Sequence, residues 1–555
     1  MLKKTNIKIN YETGILVFFI IYLISGCLIF KDFGVGIEEH FQRKNGFFWL
    51  NKLLSFTGFE ELKSTVNFKY NEILRTNPSL PDINFFNFYG VVFDFPLALL
   101  ESSFSINSSK IYFELRHLFI FLIFFISSIY FYKILYNRFN NGFLIFLGTV
   151  FYIFTPRIFG DSFHNNKDIL FLSLMTISTY YVFNLFEKKD NKNLLLFCLF
   201  AALATSSRIM GLVLPFFLLF FLLIELLTKK IEIKVFTILF IKIILFYLFF
   251  LYLHYPYIWQ LNIFDISSWF SSFFYNMNIK ILFNGEYYNI KYLPRSYLLI
   301  WIFITTPFYI IIFSIFGFFI LLRRVSLRLL NINELNINNS DLWQGNNEKK
   351  DFFIFILFLS FFLFATFLNV AMLSGWRHFY FLHLCLTYFS IIGINFLLLI
   401  LRKKIKKSYL MFISFLIIIA LIHVNFKFHP YQSVYFNNFL KKETIKDFQV
   451  DTASLSRADA LKYILEKAPN DDQINIANIS WVPLENGKSM LDENDQKKFV
   501  FTGQNYESAD FIYTNYIFKS DEKYNKNYKL PNDFKRFKTL MINNIEIYTI
   551  YKKIK

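Results

Sequence analysis

The sequence predicts an all-α membrane protein with about eleven transmembrane helices, followed by a small α/β domain at the C-terminus. Composition is the first reason: 55% of the 555 residues are hydrophobic and 18% are charged, against about 25% charged in soluble proteins. Patterning is the second, because long apolar runs recur as far as residue 426 and then stop. A soluble core could not bury so much apolar surface, so the chain is expected to lie in a bilayer.

The apolar runs define the predicted transmembrane helices. A helix needs about 20 predominantly apolar residues to cross the hydrocarbon core, and eleven runs approach or exceed that length. The third and fifth runs are short, and the fifth and sixth meet at Ser207-Arg208. The predicted spans are 14–31, 115–132, 143–156, 169–186, 193–207, 209–227, 235–253, 296–322, 352–373, 379–400 and 408–426.

The basic residues between the spans predict the orientation, because cytosolic loops carry an excess of Lys and Arg. With the N-terminus in the cytosol, the inner segments hold 21 Lys or Arg and the three short outer turns hold 4. Two long outer loops, 32–110 and 254–295, then belong to a transmembrane unit of residues 1–426. The net charge of +18 reflects cytosolic loops, so nucleic acid is not expected as a partner.

Residues 427–555 are predicted to form a soluble α/β domain on the outer face. This segment is polar, and its short apolar stretches alternate as strands do. Two adjacent Asn residues between two such stretches are typical of a tight hairpin turn. The predicted elements are a helix at 456–467, strands at Gln473–Ile479 and Lys498–Thr502, and a hairpin at 538–552 that turns at Asn543-Asn544.

Single arginines occur at outer helix ends, against the positive-inside trend. A guanidinium binds a phosphate through two parallel hydrogen bonds, so several arginines on one face could converge on an anionic group. The alternative for any one of them is contact with lipid headgroups. These residues are Arg116, Arg157, Arg208, Arg295 and Arg377.

The histidines show the same bias, since all eight fall in an outer loop or near an outer helix end. This favours a working site at the outer membrane surface, although histidine also tolerates the wet interface for no functional reason. The eight are His40, His117, His164, His254, His378, His383, His423 and His429.

Acidic residues accompany these cations. Glu38 and Glu39 follow the first span directly, and two adjacent carboxylates can raise each other's pKa and suit a general base. The outer turn 155–168 carries Asp161, Asp168, one histidine, two amides and two cations. A solvated loop explains the acidic pair equally well. Asp168 could also serve only to favour the helix N-terminus.

Several other classes of protein are disfavoured. The chain contains no phosphate-binding loop of the form GxxxxGK[ST], no HExxH zinc motif and no GxSxG nucleophile turn. Its three cysteines lie in separate apolar runs, which excludes a disulfide framework and a cysteine-based zinc site. Lys242 and Glu225 are the clearest ionisable residues inside spans, whereas a coupled transporter usually has more.

The order of these features resembles the GT-C superfamily of integral membrane glycosyltransferases. It is most similar to the branch of protein O-mannosyltransferases and lipid A aminoarabinose transferases, glycosyltransferase family 39. The resemblance rests on four features: the acidic pair opening the first outer loop; the pattern PRxxGxSxxNxKD at 156–168; the Arg-Ile-Met-Gly turn at 208–211; and the stretch HPYQSVYFN at 429–437, followed by Asp451 and Ser456.

The resemblance implies an activity and a location. Such enzymes transfer a sugar from a polyprenyl-phosphate carrier to a protein, lipid or glycan acceptor on the outer face, with inversion at the anomeric carbon. The expected location is a bacterial inner membrane, with the C-terminal domain in the periplasm. No cofactor is required by the resemblance, although the carboxylates and outer histidines could hold a divalent metal ion.

The resemblance also implies roles for individual residues. Glu38 stands where relatives often carry Asp, which leaves open whether Glu38 or Glu39 is the base. Asp168 matches a second acidic position. The predicted catalytic residues are Glu38, Glu39 and Asp168; the predicted phosphate-binding residues are Arg208, Arg377, Arg157 and Arg295; and the predicted substrate-binding residues are His40, Asp161, His164, Asn165 and His378.

A transporter or flippase of lipid-linked sugars is the alternative function. It also predicts many spans and outer arginines. It does not need an acidic pair in the first outer loop, so substitution of those carboxylates separates the two hypotheses.

Overall fold

The computed structural model describes most of the chain. Helices pack side by side into a bundle, and a small domain containing a five-stranded sheet packs on one end of it. We call this end of the bundle the domain end, and the other the opposite end. The described residues are 2–77, 80–83, 89–260, 267, 279–330, 342–368, 370–401, 407–468, 472–517 and 528–554.

The helices follow the apolar runs of the sequence. Short helices between the long ones build the two outer loops and the turn at 155–168. In chain order the α-helices before the C-terminal domain are α1 (Leu2–Ile29), α2 (Glu39–Leu54), α3 (Glu60–Thr76), α4 (Asp94–Ser103), α5 (Ser109–Arg138), α6 (Gly142–Phe154), α7 (Pro156–Asp161), α8 (Asp168–Glu187), α9 (Asn191–Ser207), α10 (Val213–Leu227), α11 (Ile233–His254), α12 (Tyr297–Thr305), α13 (Phe308–Leu330), α14 (Gly345–Phe367), α15 (Leu382–Leu401) and α16 (Lys407–Phe428).

The predicted architecture of a multi-pass helical membrane protein is confirmed. Within the described part of the chain, nine helices are long and apolar enough to cross a membrane. The two short predicted spans correspond to α6, with 13 residues, and α9, with 17. Both are shorter than the roughly 20 residues that a full span needs.

The predicted span at 296–322 is interrupted in the structure. Its first helix ends at Thr305 and the next begins at Phe308, because Pro307 lacks an N–H and forces the preceding residue into extended backbone. Thr306 accordingly has φ −98° and ψ 140°. The Asn437 amide donates to the Thr306 carbonyl at 2.6 Å and to the Phe303 carbonyl at 2.5 Å, so the break leaves these oxygens paired.

The centre of the bundle is formed by α8 and α15. Of their most apolar 18-residue windows, 89% and 61% are buried, against 22 to 28% for α1, α11 and α16, which lie at the periphery. Helices α13 and α15 approach closely because each has a glycine at their crossing. A Cβ on Gly317 would lie 1.9 Å from the Phe389 carbonyl oxygen, and one on Gly393 would lie 2.4 Å from that of Phe313. Small residues at crossings are typical of membrane helices.

A buried carboxylate ties four helices together at the opposite end. Asp351, which is 1% exposed, accepts from Arg138 Nε of α5 and Arg324 Nη1 of α13, each at 2.7 Å. The Tyr388 hydroxyl of α15 donates to the same carboxylate at 2.7 Å. Because Asp351 itself lies in α14, one side chain joins four helices.

The C-terminal domain is a mixed sheet with helices against it. Its strand order is β4-β3-β5-β7-β6, in which β3 pairs in parallel with both β4 and β5 and the other pairs are antiparallel. A separate hairpin in the second outer loop supplies β1 and β2. The elements are β1 (Lys280–Phe283), β2 (Glu286–Asn289), α17 (Ser456–Lys467), β3 (Ile474–Asn478), α18 (Glu493–Lys497), β4 (Phe499–Gly503), β5 (Phe511–Thr514), β6 (Phe534–Ile542) and β7 (Ile545–Lys553).

The predicted elements of this domain are confirmed. Helix α17 covers the predicted range, the two predicted strands are β3 and β4, and the predicted hairpin is formed by β6 and β7. Asn543 and Asn544 have φ of +52° and +65°, as a tight hairpin turn requires. The sequence analysis did not predict β5, which has only four residues, all buried, and shows no alternation of polar and apolar side chains.

A buried arginine docks the domain onto the start of the first outer loop. Arg457, 1% exposed, donates to the Ser454, Pro483 and Val35 carbonyls at 2.9, 2.7 and 2.8 Å. The backbone N–H of Ile37 also donates to the Ala453 carbonyl at 3.0 Å. The loop that leads into α2 is therefore held by the C-terminal domain.

The Asp351 cluster makes a testable prediction about stability. Asp351→Ala should lower the free energy of unfolding by about 3–5 kcal/mol, because it leaves two arginines without their carboxylate in a buried site. Glu348→Gln is the matched control, since the Glu348–Arg328 pair is partly exposed and should be worth about 1 kcal/mol or less. Thermal unfolding of both variants in the same detergent measures the difference. Equal midpoints would contradict the role given to Asp351.

Candidate active site at the domain end

A cavity of about 580 Å³ lies between the bundle and the C-terminal domain. Its bundle side is formed by the start of α2, the turn before α8, the Ser207-Arg208 junction and the segment 373–378. Residues 80–81 and 89–94, strand β1 and the domain loop at 481–486 also contribute to the wall. The cavity is thus enclosed by parts of the chain that are more than 400 residues apart.

Two ion pairs occupy the bundle side of this cavity. Arg377 pairs with Glu38, and Arg208 pairs with Asp168. Arg377 Nε also lies 3.8 Å from Asp168 Oδ2, so the two pairs form one cluster of two carboxylates and two guanidinium groups. Asp168 is the first residue of α8, where the helix N-terminus favours a negative charge.

The structure distinguishes the two adjacent glutamates. The side chain of Glu38 is 37% exposed and lines the cavity. That of Glu39 is 3% exposed, accepts from the Gly36 N–H at 2.7 Å and lies 3.2 Å from His117 Nε2. Glu39 is therefore committed to contacts inside the protein, whereas Glu38 is available to a molecule in the cavity.

Charge holds Glu38 in its ionised form. Burial alone would raise the pKa of its carboxyl, but Arg377 and Lys167 lower the pKa by more, so it lies below its usual range. The pKa of Glu39 is also lowered, because His117, Arg116 and the Gly36 N–H outweigh its burial. Both carboxylates are charged at neutral pH in the structure as it stands.

The turn 155–168 builds a second, smaller polar chamber behind Glu38. Pro156 begins α7, where its missing N–H costs nothing. The Asn165 amide donates to Asp161 Oδ2 at 3.2 Å and to Asp168 Oδ2 at 3.0 Å, and His164 Nε2 lies 3.4 Å from Asp161 Oδ1. The chamber is about 30 Å³, enough for one or two water molecules.

The predicted site residues divide into three groups. Five line the large cavity or its ion-pair cluster: Glu38, Asp168, Arg208, Arg377 and His378. Five line the small chamber without reaching the large cavity: Glu39, Arg157, Asp161, His164 and Asn165. The remaining two, His40 and Arg295, line neither the chamber nor the cavity.

The structure places His40 and Arg295 in other surroundings. His40 is buried with its Nε2 3.2 Å from the Asn486 carbonyl and from the Ser489 hydroxyl, so it joins α2 to the C-terminal domain. Burial and the nearby Arg457 lower the pKa of His40 to about 3, which keeps its ring neutral. Arg295 is exposed, with its guanidinium 5.7 Å from the centre of the Phe367 ring.

The surroundings of His378 and Arg157 indicate what each side chain contributes to the site. His378 lines the cavity, and burial beside Arg208 and Arg377 holds its pKa well below the usual range, so it is a neutral hydrogen-bonding group. Arg157 is buried, donates from Nε to the Tyr435 carbonyl at 2.9 Å and lies over the Phe436 ring. It supports the chamber wall.

Sequence reasoning missed several residues that the structure brings to the cavity. Lys167 lines it, with its ammonium 3.5 Å from the centre of the Tyr89 ring. It stands in the PRxxGxSxxNxKD pattern, which was a usable signal. Asp94 pairs with Arg116 and accepts from the Asn166 amide at 3.1 Å. It lies in an apolar stretch, Phe93 to Leu100, that gave no sign of this role.

Among the residues that the structure describes, no group of three or more His, Cys, Asp or Glu side chains comes together as a metal site. Two of the cations that line the cavity, Arg208 and Arg377, are paired with carboxylates. A phosphate entering it would meet Lys167, Lys280, Arg208 and Arg377.

A comparison with protein families gives a match over part of the chain. Residues 104–253 match the family model described as dolichyl-phosphate-mannose-protein mannosyltransferase. This match over part of the chain supports a membrane glycosyltransferase of the GT-C type. The matched range contains Lys167, Asp168 and Arg208, whereas Glu38 and Arg377 lie outside it. No curated protein matches this glycosyltransferase.

The Glu38–Arg377 pair predicts how pH would affect a reaction in which Glu38 is the general base. A base works only when ionised, so kcat/KM of such a reaction should fall as the pH falls through the pKa of Glu38 in the free enzyme. In the wild type this acidic limb should lie below pH 4.5, the ordinary value for Glu. Arg377→Gln removes the strongest influence that lowers the pKa and leaves burial, so the limb should move to higher pH.

The pH profile of kcat/KM, measured for the wild type and for Arg377→Gln, tests this. Arg75→Gln, an exposed arginine of α3, is the control and should leave the limb in place. An unshifted limb in Arg377→Gln would show that another group than Glu38 titrates.

Proposed function

We propose that this glycosyltransferase transfers a sugar from a polyprenyl-phosphate carrier to a hydroxyl group of an acceptor at the outer membrane surface, with inversion. The observation that carries the proposal is that one cavity brings together an ionised carboxylate, Glu38, and the cations Arg208, Arg377 and Lys167. A general base and a phosphate-binding group are the two functions that this reaction needs.

The proposed reaction is a single displacement. Glu38 removes the proton from the acceptor hydroxyl while its oxygen attacks the anomeric carbon from the face opposite the phosphate. The bond between that carbon and the phosphate oxygen breaks, and the leaving polyprenyl phosphate gains negative charge. Arg208, Arg377 and Lys167 stabilise that charge, which is worth more in an enclosed site than in water.

Asp168 acts as a positioning residue in this proposal. It pairs with Arg208 and lies 3.8 Å from Arg377 Nε, so it aims both guanidinium groups into the cavity.

Donor binding would also prepare the base. In the structure, the carboxylate of Glu38 is paired with Arg377. A donor phosphate competes for the same guanidinium and would leave Glu38 without its strongest counter-charge. The pKa of Glu38 would then rise, which makes it a better proton acceptor when the donor is in place.

The proposed orientation places the domain end outside the cell. The segments joined at the opposite end include 133–142, 187–192 and 323–351, which are rich in Lys and Arg, as cytosolic loops are. The N-terminus then lies in the cytosol and the C-terminal domain in the periplasm of a bacterial inner membrane. A cavity at the outer surface suits a donor whose lipid tail stays in the bilayer.

Substitution of the base tests the proposal. Glu38→Gln should lower turnover by about 10³-fold, within the range for loss of a general base, while binding of the donor lipid changes less than about threefold because the cations remain. Glu60→Gln, an exposed glutamate of α3, is the matched control. Turnover is measured as polyprenyl phosphate released from polyprenyl-phosphate mannose by the purified protein in lipid vesicles with an envelope extract as acceptor.

Two outcomes would contradict this function. Full turnover by Glu38→Gln would remove Glu38 from the mechanism. Movement of the donor lipid across the vesicle membrane without release of polyprenyl phosphate would instead support a flippase.

A further inference from the structure

One part of the cavity wall is built by the C-terminal domain. Trp481, Val482 and Pro483 form it, with Asn486 and Ile517 beside them. Among the described residues of the domain, no cationic side chain lines the cavity. Trp481 is 45% exposed, so a large aromatic ring is left partly uncovered inside an enclosed space.

Hydrogen bonds hold the loop of Trp481 in place. The Asn478 amide donates to the Val482 carbonyl at 2.6 Å, and the Ser480 N–H donates to Asn478 Oδ1 at 2.9 Å. The Trp481 N–H donates to the Ile517 carbonyl at 2.8 Å. The aromatic ring is therefore carried on a preorganised loop, which lowers the entropic cost of binding a ligand against it.

The topology of the sheet also favours a ligand at this edge. The loop of Trp481 follows β3, and Ile517 follows β5 three residues after the strand ends. β3 is paired in parallel with β4 on one side and β5 on the other. Ligands of open α/β sheets bind outside the carboxyl ends of parallel strands where the connections part to either side.

Three side-chain amide oxygens of residues that line the same cavity have no hydrogen-bond partner among the described residues. They belong to Gln42 and Asn45 of α2 and to Asn486 of the domain wall. Asn45 is 4% exposed and Asn486 is 3% exposed. A buried acceptor without a donor is costly, and such groups in native proteins mark a ligand or an ordered water.

We propose that this part of the cavity is a saccharide-binding subsite and that the acceptor of the reaction presents a sugar ring there. A pyranose combines an apolar C–H face, which stacks on an aromatic ring, with a rim of hydroxyl donors. The face matches Trp481, and the hydroxyls match the amide side chains of Gln42, Asn45 and Asn486, which also line the cavity. A hydrocarbon tail would cover Trp481 and leave the amides unpaired, at a cost.

The assignment of this subsite to the acceptor, and not to the donor sugar, rests on the proposed function. In a single displacement with inversion, the acceptor lies on the side of the donor sugar opposite the phosphate. The phosphate is placed against Arg208 and Arg377, so the wall without cations faces the acceptor. Glu38 lines the same cavity, on a loop that Arg457 and Ala453 fix to the domain.

Binding of methyl glycosides to the full chain in lipid nanodiscs tests the subsite without requiring turnover. A panel of methyl hexosides and pentosides, including methyl α-mannopyranoside, is titrated and saturation-transfer NMR is recorded. At least one glycoside should bind, and Trp481→Ala and Asn486→Ala should each raise its Kd about tenfold, as loss of one stacking or hydrogen-bond contact does. Trp481→Phe keeps an aromatic face and should stay within about threefold of the wild type.

Controls separate this inference from the proposed function and from donor-sugar binding. Trp259→Ala, an aromatic of similar exposure outside the cavity, should leave the Kd unchanged. Saturating polyprenyl-phosphate mannose should not displace the glycoside.

Absence of glycoside binding, or an equal Kd in Trp481→Ala and Trp259→Ala, would overturn the subsite. Displacement by the donor would overturn the assignment to the acceptor. Neither result depends on whether Glu38→Gln is active.

Discussion

The site depends on one interaction, the hydrogen bonds that a buried guanidinium makes across the junction of bundle and domain. Arg457 donates these hydrogen bonds to three backbone carbonyls, those of Ser454, Pro483 and Val35, rather than to a carboxylate. Burial lowers the pKa of its guanidinium, with nearby Tyr513 and Asp451 opposing this. One carbonyl belongs to the loop before Glu38 and another to the loop after Trp481, so a single side chain fixes both relative to α17.

The cavity that Arg457 holds together has two chemically different sides. The bundle contributes charged groups, because the ends of membrane helices are where ionisable side chains can reach water. The domain contributes an aromatic ring and amides, because a soluble sheet can place such groups at its strand ends without exposing them to lipid. The lack of cations on the described domain wall and their concentration around Arg208 and Arg377 follow from this division.

Much of the fold could be predicted from the sequence because its signals are local. The apolar runs locate the helices, and the Asn543-Asn544 turn locates the final hairpin. The break before Pro307 was hidden inside a continuous apolar run, and β5 was hidden because all four residues are buried. Both depend on what packs against the segment, which hydrophobic periodicity does not report.

The candidate site could be predicted as a set of residue types and only partly as a geometry. The sequence pointed to Glu38, Asp168, Arg208 and Arg377, which the structure brings together, but it could not choose between Glu38 and Glu39. Adjacent residues at the start of a helix point about 100° apart, and only the tertiary structure decides which of them meets the cavity. His40 and Arg295 also lie in the predicted outer loops, yet neither residue lines the cavity or the chamber.

The stretch 429–437 has a consequence for engineering chimaeric enzymes. A segment between two domains usually tolerates changes of length, but this one is bonded into the bundle. The Asn437 amide pairs two carbonyls at the Pro307 break, the Gln432 amide donates to the Asn425 carbonyl, and Arg157 donates to the Tyr435 carbonyl. A C-terminal domain grafted from another protein would therefore keep its position on the bundle only if the two sequences are joined after Asn437. Residues 429–437 would then come from the same protein as the membrane helices.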